Sequence, residues 1–191
     1  KVIEITNKVG KRLRMEFEID EYTKLIQKDV NNYIAVKKNG ELECKGAMVK
    51  FNKPIDNDLP ILNDAVRNYL AYDIPVEQTI NECTEYIKFQ KVIKLSAKYK
   101  EIWYGNGIAA KDNKITFASK RVSDGSIYKL KIEKGIKSYE QFANTPKHLF
   151  IDNEDIHEKS IPKHLDKEYY INEAKKRIEM FLTKDEEKMD E

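Results

Sequence analysis

The dipeptide Asn39-Gly40, with alternating apolar and polar residues on both sides, is the feature that most constrains the fold. An Asn-Gly pair readily takes the positive φ angles of a two-residue turn between antiparallel strands. We therefore expect strands at residues 31–36 and 41–49, joined into a hairpin. Residues 15–19 also alternate and are expected to form a strand. This part of the chain is predicted to be a small antiparallel sheet with one packed face and one solvated face.

Apolar residues recur at helical spacing in the rest of the chain. The spacing predicts a helix at residues 61–72, a second helix beginning near Pro75 and a third beginning near Asp166. Between the second and third helices, residues 114–119 and 126–132 are expected to form a hairpin. The predicted fold class is α+β, with a small antiparallel sheet followed by a mainly helical part that contains an inserted hairpin.

The overall charge indicates no particular partner, because 35 basic and 33 acidic residues leave a net charge of only +2. Basic residues are nonetheless grouped, and residues 88–100 contain lysines but no acid. If the helix from Pro75 continues through this segment, four lysines lie along one side. We call them the lysine stripe: Lys88, Lys91, Lys94 and Lys98. The stripe could bind phosphates of a nucleic-acid duplex, and an ordinary solvated face is the alternative.

Few residue patterns indicate catalysis. There is no Gly-rich phosphate loop, and no cysteine or second histidine lies at metal-ligand spacing from any of the histidines, which are His148, His157 and His164. One enzyme-like pattern is Asp29 with Glu43 and Lys45, which could hold Mg²⁺ and stabilise a phosphate transition state in a small nuclease. The same residue types are also common on a solvated sheet surface, where they form charge pairs.

The cysteines indicate the redox environment. Cys44 and Cys83 are far apart in sequence, and no secretory signal or transmembrane run is found. We therefore expect a cytosolic protein with reduced thiols. The sequence starts at Lys1, without an initiator methionine and within a polar-apolar pattern, and is interpreted as a piece of a longer protein.

The order of several motifs resembles the end of the palm and the start of the thumb in family B DNA polymerases. In that family a Leu-x-x-Glu-x-Glu strand leads to a Lys-Lys-x-Tyr element and then to a hairpin ending in Lys-Gly. The sequence LRMEFEIDEYTKLIQKDVNNYIAVKKNGELECKGAMVK is similar, and the matching residues are Leu13, Glu16, Glu18, Tyr33, Lys45 and Gly46. The paired lysines of the family fall on Val30 and Asn31, so that basic pair is missing here.

The resemblance continues in the same order to Leu182. DLPILNDAVRNYLAYDIPVEQTI is similar to the helical pair that opens the thumb, FQKVIKLSAKY to the basic segment after it, and LDKEYYINEAKKRIEMFL to an Asp-x-x-Tyr-Tyr helix near the carboxyl end. Within the family, these motif sequences are most similar to those of polymerases from bacteriophages and prophages. The resemblance implies a palm-edge segment at residues 1–53, a thumb-like domain at 54–184 and an acidic disordered tail at 185–191.

The resemblance also implies a function. The chain would grip the primer-template duplex behind the active site of a DNA-directed DNA polymerase, in the cytoplasm of a bacterial host and away from any membrane. Its partners would be duplex DNA and the upstream domains of the same parent chain. The parent enzyme would use Mg²⁺, but the family's metal-binding Asp-Thr-Asp strand is missing here, so this piece is expected to hold no catalytic residue, metal or cofactor. A non-enzymatic module whose lysines bind an acidic protein remains a further alternative.

The expected DNA contacts are of two kinds. A tyrosine and amides at a strand end can contact the minor groove, where base edges differ little between sequences. Lysines would bind phosphates and position the duplex without reading its sequence. The candidate DNA-binding residues are Asn31, Asn32, Tyr33, Lys37, Lys45, Lys50 and the four members of the lysine stripe.

Overall fold

The computed structural model describes residues 2–17, 20–51, 59–99, 101–105, 107–110, 112–154 and 156–183. Within these residues the chain forms α-helices, one short 3₁₀ helix and three antiparallel sheets, so the α+β class is confirmed. In chain order the elements are α1 Val2–Leu13, β1 Tyr22–Asp29, β2 Asn32–Lys37, β3 Leu42–Lys45, α2 Pro60–Tyr72, α3 Val76–Glu82, the 3₁₀ helix Tyr86–Phe89, β4 Lys91–Ile93, β5 Ile102–Tyr104, β6 Gly107–Ala110, β7 Lys114–Ala118, β8 Ile127–Glu133, β9 Ile136–Gln141, β10 Leu149–Ile151 and α4 Lys167–Leu182. Among the described helices, none has both the length and the apolar character needed to cross a bilayer.

The chain opens with a helix, and the expected strand at residues 15–19 is wrong. Arg14 has φ 55°, and the Met15 N–H donates to the Gly10 carbonyl at 2.9 Å, which closes α1. Residues 15–17 have no regular structure, and residues 18 and 19 lie outside the described part of the chain. The helix was missed although apolar residues recur three or four positions apart, at Val2, Ile5, Val9 and Leu13.

The hairpin at Asn39-Gly40 is confirmed. Strands β2 and β3 are antiparallel, with Tyr33 opposite Lys45. Their loop has three residues rather than the expected two, because the Lys37 N–H donates to the Glu41 carbonyl, and Gly40 rather than Asn39 has the positive φ. Strand β1 pairs with the other side of β2 and completes a three-stranded sheet, which we call the first sheet. Strand β3 ends at Lys45 rather than at residue 49, because Gly46 has φ 110° and its carbonyl accepts the Lys50 N–H in a turn.

The expected hairpin between residues 114–119 and 126–132 is wrong, since the two segments belong to different sheets. Strand β7 lies between β10 and β4, whereas β8 lies between β5 and β9. After β7 the chain turns away, and the Ser119 hydroxyl donates to the Asp124 carboxylate at 2.5 Å. The hairpin forms instead between β8 and β9, where Lys134-Gly135 has positive φ at both positions, as in a type I′ turn.

The lysine stripe does not form, because the helix after Pro75 ends at Glu82. The chain continues as the 3₁₀ helix and then as β4, which pairs with β7. This path places Tyr86, Phe89 and Ile93 at 2% exposure or less, and the pairing with β7 satisfies the backbone of β4. The part expected to be mainly helical therefore also contains two of the three sheets.

One apolar core connects the first sheet with the helices. It contains Ile34 of β2, Val49 and residues of α2, α3 and α4. The predicted helix at residues 61–72 is confirmed as α2, and α4 confirms the predicted third helix, although Leu182 at its end is 54% exposed. The expected boundary between residues 53 and 54 and the acidic tail at 185–191 lie outside the described residues.

Tyr170 holds three elements of this core together. Its side chain is 1% exposed, and its hydroxyl donates to the Phe89 carbonyl at 2.8 Å and accepts the Ala118 N–H at 3.0 Å. The ring of Phe89 lies edge-to-face against it at 5.0 Å. One phenol therefore links α4, the 3₁₀ helix and β7, and it satisfies two backbone groups that water does not reach.

We predict that Tyr170→Phe lowers the free energy of unfolding by about 2–4 kcal/mol, because a buried N–H and a buried C=O lose their partner while the apolar packing is kept. The control is Tyr169→Phe, whose hydroxyl bonds the Asn144 carbonyl at an exposed position and should cost less than about 1 kcal/mol. Urea unfolding of both variants measures the difference. Equal losses would contradict the role assigned to Tyr170.

Candidate nucleic-acid interface on the first sheet

The first sheet brings the two matched motifs of the resemblance together at one end. Tyr33 on β2 lies directly opposite Lys45 on β3. The next residue, Gly46, lies against the side chain of Asn32, whose Oδ1 occupies the space that a Cβ at position 46 would need. Because φ at Gly46 is also 110°, a larger residue there would be strained and would displace Asn32. Tyr33 and Lys45 are therefore neighbours on one face of the first sheet, whereas Asn32, the preceding residue of β2, projects from the other face.

The turn between β1 and β2 is held by the carboxylate of Asp29. It accepts the backbone N–H of Asn31 at 2.7 Å and the side-chain amide of Asn32 at 2.8 Å. These bonds, the first of them most strongly, hold the pKa of Asp29 below its ordinary value. The amide of Asn32 is therefore oriented by the protein, whereas Asn31 is exposed and is bound here through its backbone.

Glu43 is the centre of a hydrogen-bonded cluster on the same sheet. Its carboxylate accepts the hydroxyl of Tyr33 at 2.5 Å and that of Tyr22 at 3.1 Å. Ala35, the cross-strand partner of Glu43, is fully buried. We call Tyr22, Tyr33 and Glu43 the tyrosine–carboxylate cluster. Sequence reasoning missed Tyr22, although it opens the alternating run at residues 22–29.

The cluster shifts the titration of all three members. The hydrogen bond from Tyr33 is the main reason that the pKa of Glu43 lies below its usual value. The same bond raises the pKa of Tyr33. Burial, followed by the bond to Glu43, raises the pKa of Tyr22 to about 12. At neutral pH the carboxylate is charged and both phenols keep their protons.

The hairpin lysines differ in how far they are neutralised. Lys37 lies 3.6 Å from the Glu41 carboxylate and 3.9 Å from that of Glu43. Lys45 is exposed, and its ammonium donates to the Val30 carbonyl at 3.3 Å, which leaves its charge uncompensated. Lys50 is exposed as well. The charge most available beside Tyr33 is therefore that of Lys45.

The four lysines of the stripe lie in different environments. Lys88 is paired with Asp64 at 3.2 Å and with Glu85 at 3.0 Å. Lys91 is half-buried on β4, while Lys94 and Lys98 are exposed in the irregular segment that follows. Lys94 and Lys98 are thus the most exposed of the four, and the four do not form a row along a helix.

Both carboxylates of the alternative nuclease site already accept hydrogen bonds from protein groups. Asp29 is bonded to amides of the β1–β2 turn, and Glu43 to two phenols. Lys45 reaches across from β3 to the turn after β1, where its ammonium donates to the Val30 carbonyl rather than to the Asp29 carboxylate. Among the described residues no group of three or more His, Cys, Asp or Glu side chains converges as a metal site would require. Of the histidines, His148 bonds the Asp124 carbonyl at 2.8 Å.

We predict that Glu43→Gln lowers the pKa of Tyr33 toward the ordinary value of about 10 and that of Tyr22 by less, because burial is the larger cause for Tyr22. Because the chain has 11 tyrosines, NMR of ring-labelled tyrosine is needed to resolve them.

The same variant tests how the free energy of unfolding changes with pH in the acid range. A depressed carboxyl pKa stabilises the fold above the unfolded-state pKa, and that contribution is lost as pH falls through the folded value. In Glu43→Gln the dependence at this site should vanish. An unchanged tyrosine titration together with an unchanged pH dependence in the acid range would show that the cluster does not exist in solution.

Comparison with known proteins assigns no family, since neither models of protein families nor curated proteins nor solved structures give a match to this chain.

Proposed function

We propose that this chain is the C-terminal part of a family B DNA polymerase, of phage or prophage type, and that it grips the primer-template duplex during DNA replication. The ordered resemblance of its motifs supports this proposal. The observation that carries it is the pairing of Tyr33 with Lys45, beside the contact of Asn32 with Gly46. Tyr33 and Lys45, which are 12 positions apart in sequence, thereby lie next to each other on one face of the first sheet.

The polar groups of this surface suit the minor groove. The Tyr33 hydroxyl donates its hydrogen bond to Glu43, so the lone pairs of the phenol oxygen can accept a bond from the amino group of guanine. The exposed amide of Asn31 can donate to the acceptors that every base pair presents there. Such contacts test the shape of the duplex rather than its sequence, as a polymerase that slides along DNA requires.

Lysines supply the phosphate contacts. Lys45 lies beside Tyr33, and Lys94 and Lys98 are exposed on the segment after β4. Each phosphate that is neutralised releases counterions, so binding should weaken steeply with salt. Lys88 should contribute less, because Asp64 and Glu85 already neutralise it.

Catalysis belongs to the parent polymerase in this proposal. Nucleotide addition would use two Mg²⁺ ions held by aspartates of the upstream palm, which are not in this sequence. The chain by itself should bind duplex DNA weakly, without cleaving or extending it, and the site of action would be the bacterial host cytoplasm. The nuclease alternative has no comparable support, because Asp29 and Glu43 are held by protein donors.

We predict that the chain binds a fluorescent primer-template with a steep salt dependence, and that Lys45→Ala reduces the slope of log K against log salt by about 1. The Lys94→Ala, Lys98→Ala double variant should reduce it by about 2. The matched control is Lys175→Ala, whose lysine is on α4 and is paired with Glu77 at 2.5 Å. Fluorescence anisotropy across a salt series measures all four proteins.

Three outcomes would count against the proposal. Equal binding of heparin and duplex would identify a general polyanion module. Cleavage of the DNA in Mg²⁺, lost in Glu43→Ala, would favour the nuclease. A slope that changes as little in Lys45→Ala as in the Lys175→Ala control would remove the Tyr33–Lys45 surface from the interface.

A further inference from the structure

The outer face of the four-stranded sheet β6-β5-β8-β9 carries a second group of residues that the proposed function does not use. Side chains alternate between the two faces of a sheet. On the inner face, Ile102 and Ile127 are fully buried and form a small core with Leu149. On the outer face, Trp103 and Tyr139 lie over Leu130, which is 4% exposed. This face has no covering element among the described residues.

The two aromatic rings form a cleft rather than a flat patch. Their centroids are 5.1 Å apart and their planes meet at 72°. The cleft has a volume of about 380 Å³, and the residues that line it are Glu101, Trp103, Ile108, Leu130, Ile132, Lys137 and Tyr139. The ring of Tyr139 is half in solvent, at 52% exposure, and Ile108 is 57% exposed. Large apolar groups exposed together in this way mark a binding surface more often than chance.

Two charged side chains line the cleft, the carboxylate of Glu101 and the ammonium of Lys137. The indole N–H of Trp103 donates to the Glu101 carboxylate at 3.1 Å, which fixes the ring and uses its only polar hydrogen. Lys137 lines the cleft and makes no ion pair within the described part of the chain, whereas Lys129 and Lys131 on the other face are paired with Glu140 and Glu133. A lysine without an ion pair among the described residues therefore lies beside the exposed ring of Tyr139 and the partly buried indole of Trp103.

We propose that this aromatic cleft binds unpaired bases of single-stranded DNA. An unpaired base can stack on an exposed aromatic ring, and the adjoining phosphate can pair with Lys137. A duplex cannot use the cleft in this way, because its bases are stacked on one another. An apolar peptide would bury the rings but leave the Lys137 charge without a partner. The choice of DNA over RNA rests on the proposed function, and the stacking itself does not.

Trp103 reports on this cleft directly, because it is the only tryptophan of the chain. Titration with an oligo(dT) at low salt should quench its fluorescence in a saturable way. Tyr139→Ala should weaken binding about tenfold, and Tyr139→Phe, which keeps the ring, should change it little. The matched control is Tyr69→Ala, an exposed tyrosine on α2 outside the cleft. Lys137→Ala should weaken binding and reduce its salt slope by about 0.7.

The test is separable from that of duplex binding. Lys45→Ala should leave oligo(dT) quenching unchanged, and Tyr139→Ala should leave the affinity for primer-template duplex unchanged. If quenching is absent, is reproduced by heparin, or is equally strong in Tyr139→Ala, the proposal is wrong. Tighter binding of oligo(U) than of oligo(dT) would overturn the assignment to DNA. Self-association that depends on Tyr139, measured by sedimentation, would show that a second copy covers this face instead.

Discussion

The buried hydroxyl of Tyr170 is the interaction on which the rest of the fold depends. It supplies a donor to the Phe89 carbonyl and an acceptor to the Ala118 N–H, and these residues precede β4 and end β7. Without it, neither backbone group has a partner in the buried region between α4 and the sheet. The bond thus helps to explain why the chain leaves helical structure after α3, and why the basic segment runs into a strand rather than along one side of a helix.

The core reaches the candidate interface through polar contacts of α2. Arg177 on α4 donates to the Asn63 side chain at 2.8 Å, and Asn63 in turn donates to the Ala47 carbonyl at 3.1 Å. Arg67 donates to the carbonyls of Val49 and Lys50 at 3.1 and 2.6 Å. Buried side-chain donors therefore hold the backbone just after Gly46. Because Lys45 is at the adjoining end of β3, these contacts with the core also fix its position.

The candidate interface is less cationic and more ordered than a row of lysines. Glu43 neutralises part of the charge of Lys37 and fixes two phenols, so that Tyr33 has little rotational freedom left to lose when a ligand binds. The aromatic cleft on the other sheet has a comparable arrangement, in which Glu101 fixes the Trp103 ring. In both places a carboxylate orients an aromatic side chain, and a neighbouring lysine provides the positive charge.

Features that depend on local geometry follow from the sequence. The position of the hairpin at Asn39-Gly40, α2 and α4 follow from turn chemistry and from the spacing of apolar residues, and all three are confirmed, although the hairpin loop is one residue longer than expected. The β8–β9 hairpin also follows from a local turn, Lys134-Gly135, which sequence reasoning missed. Two outcomes came from contacts between distant segments: residues 91–93 form a strand paired with β7, and Glu43 bonds both Tyr22 and Tyr33. These outcomes depend on which buried backbone and polar groups find partners from distant segments, and that choice lowers the free energy of the whole fold rather than of any local stretch.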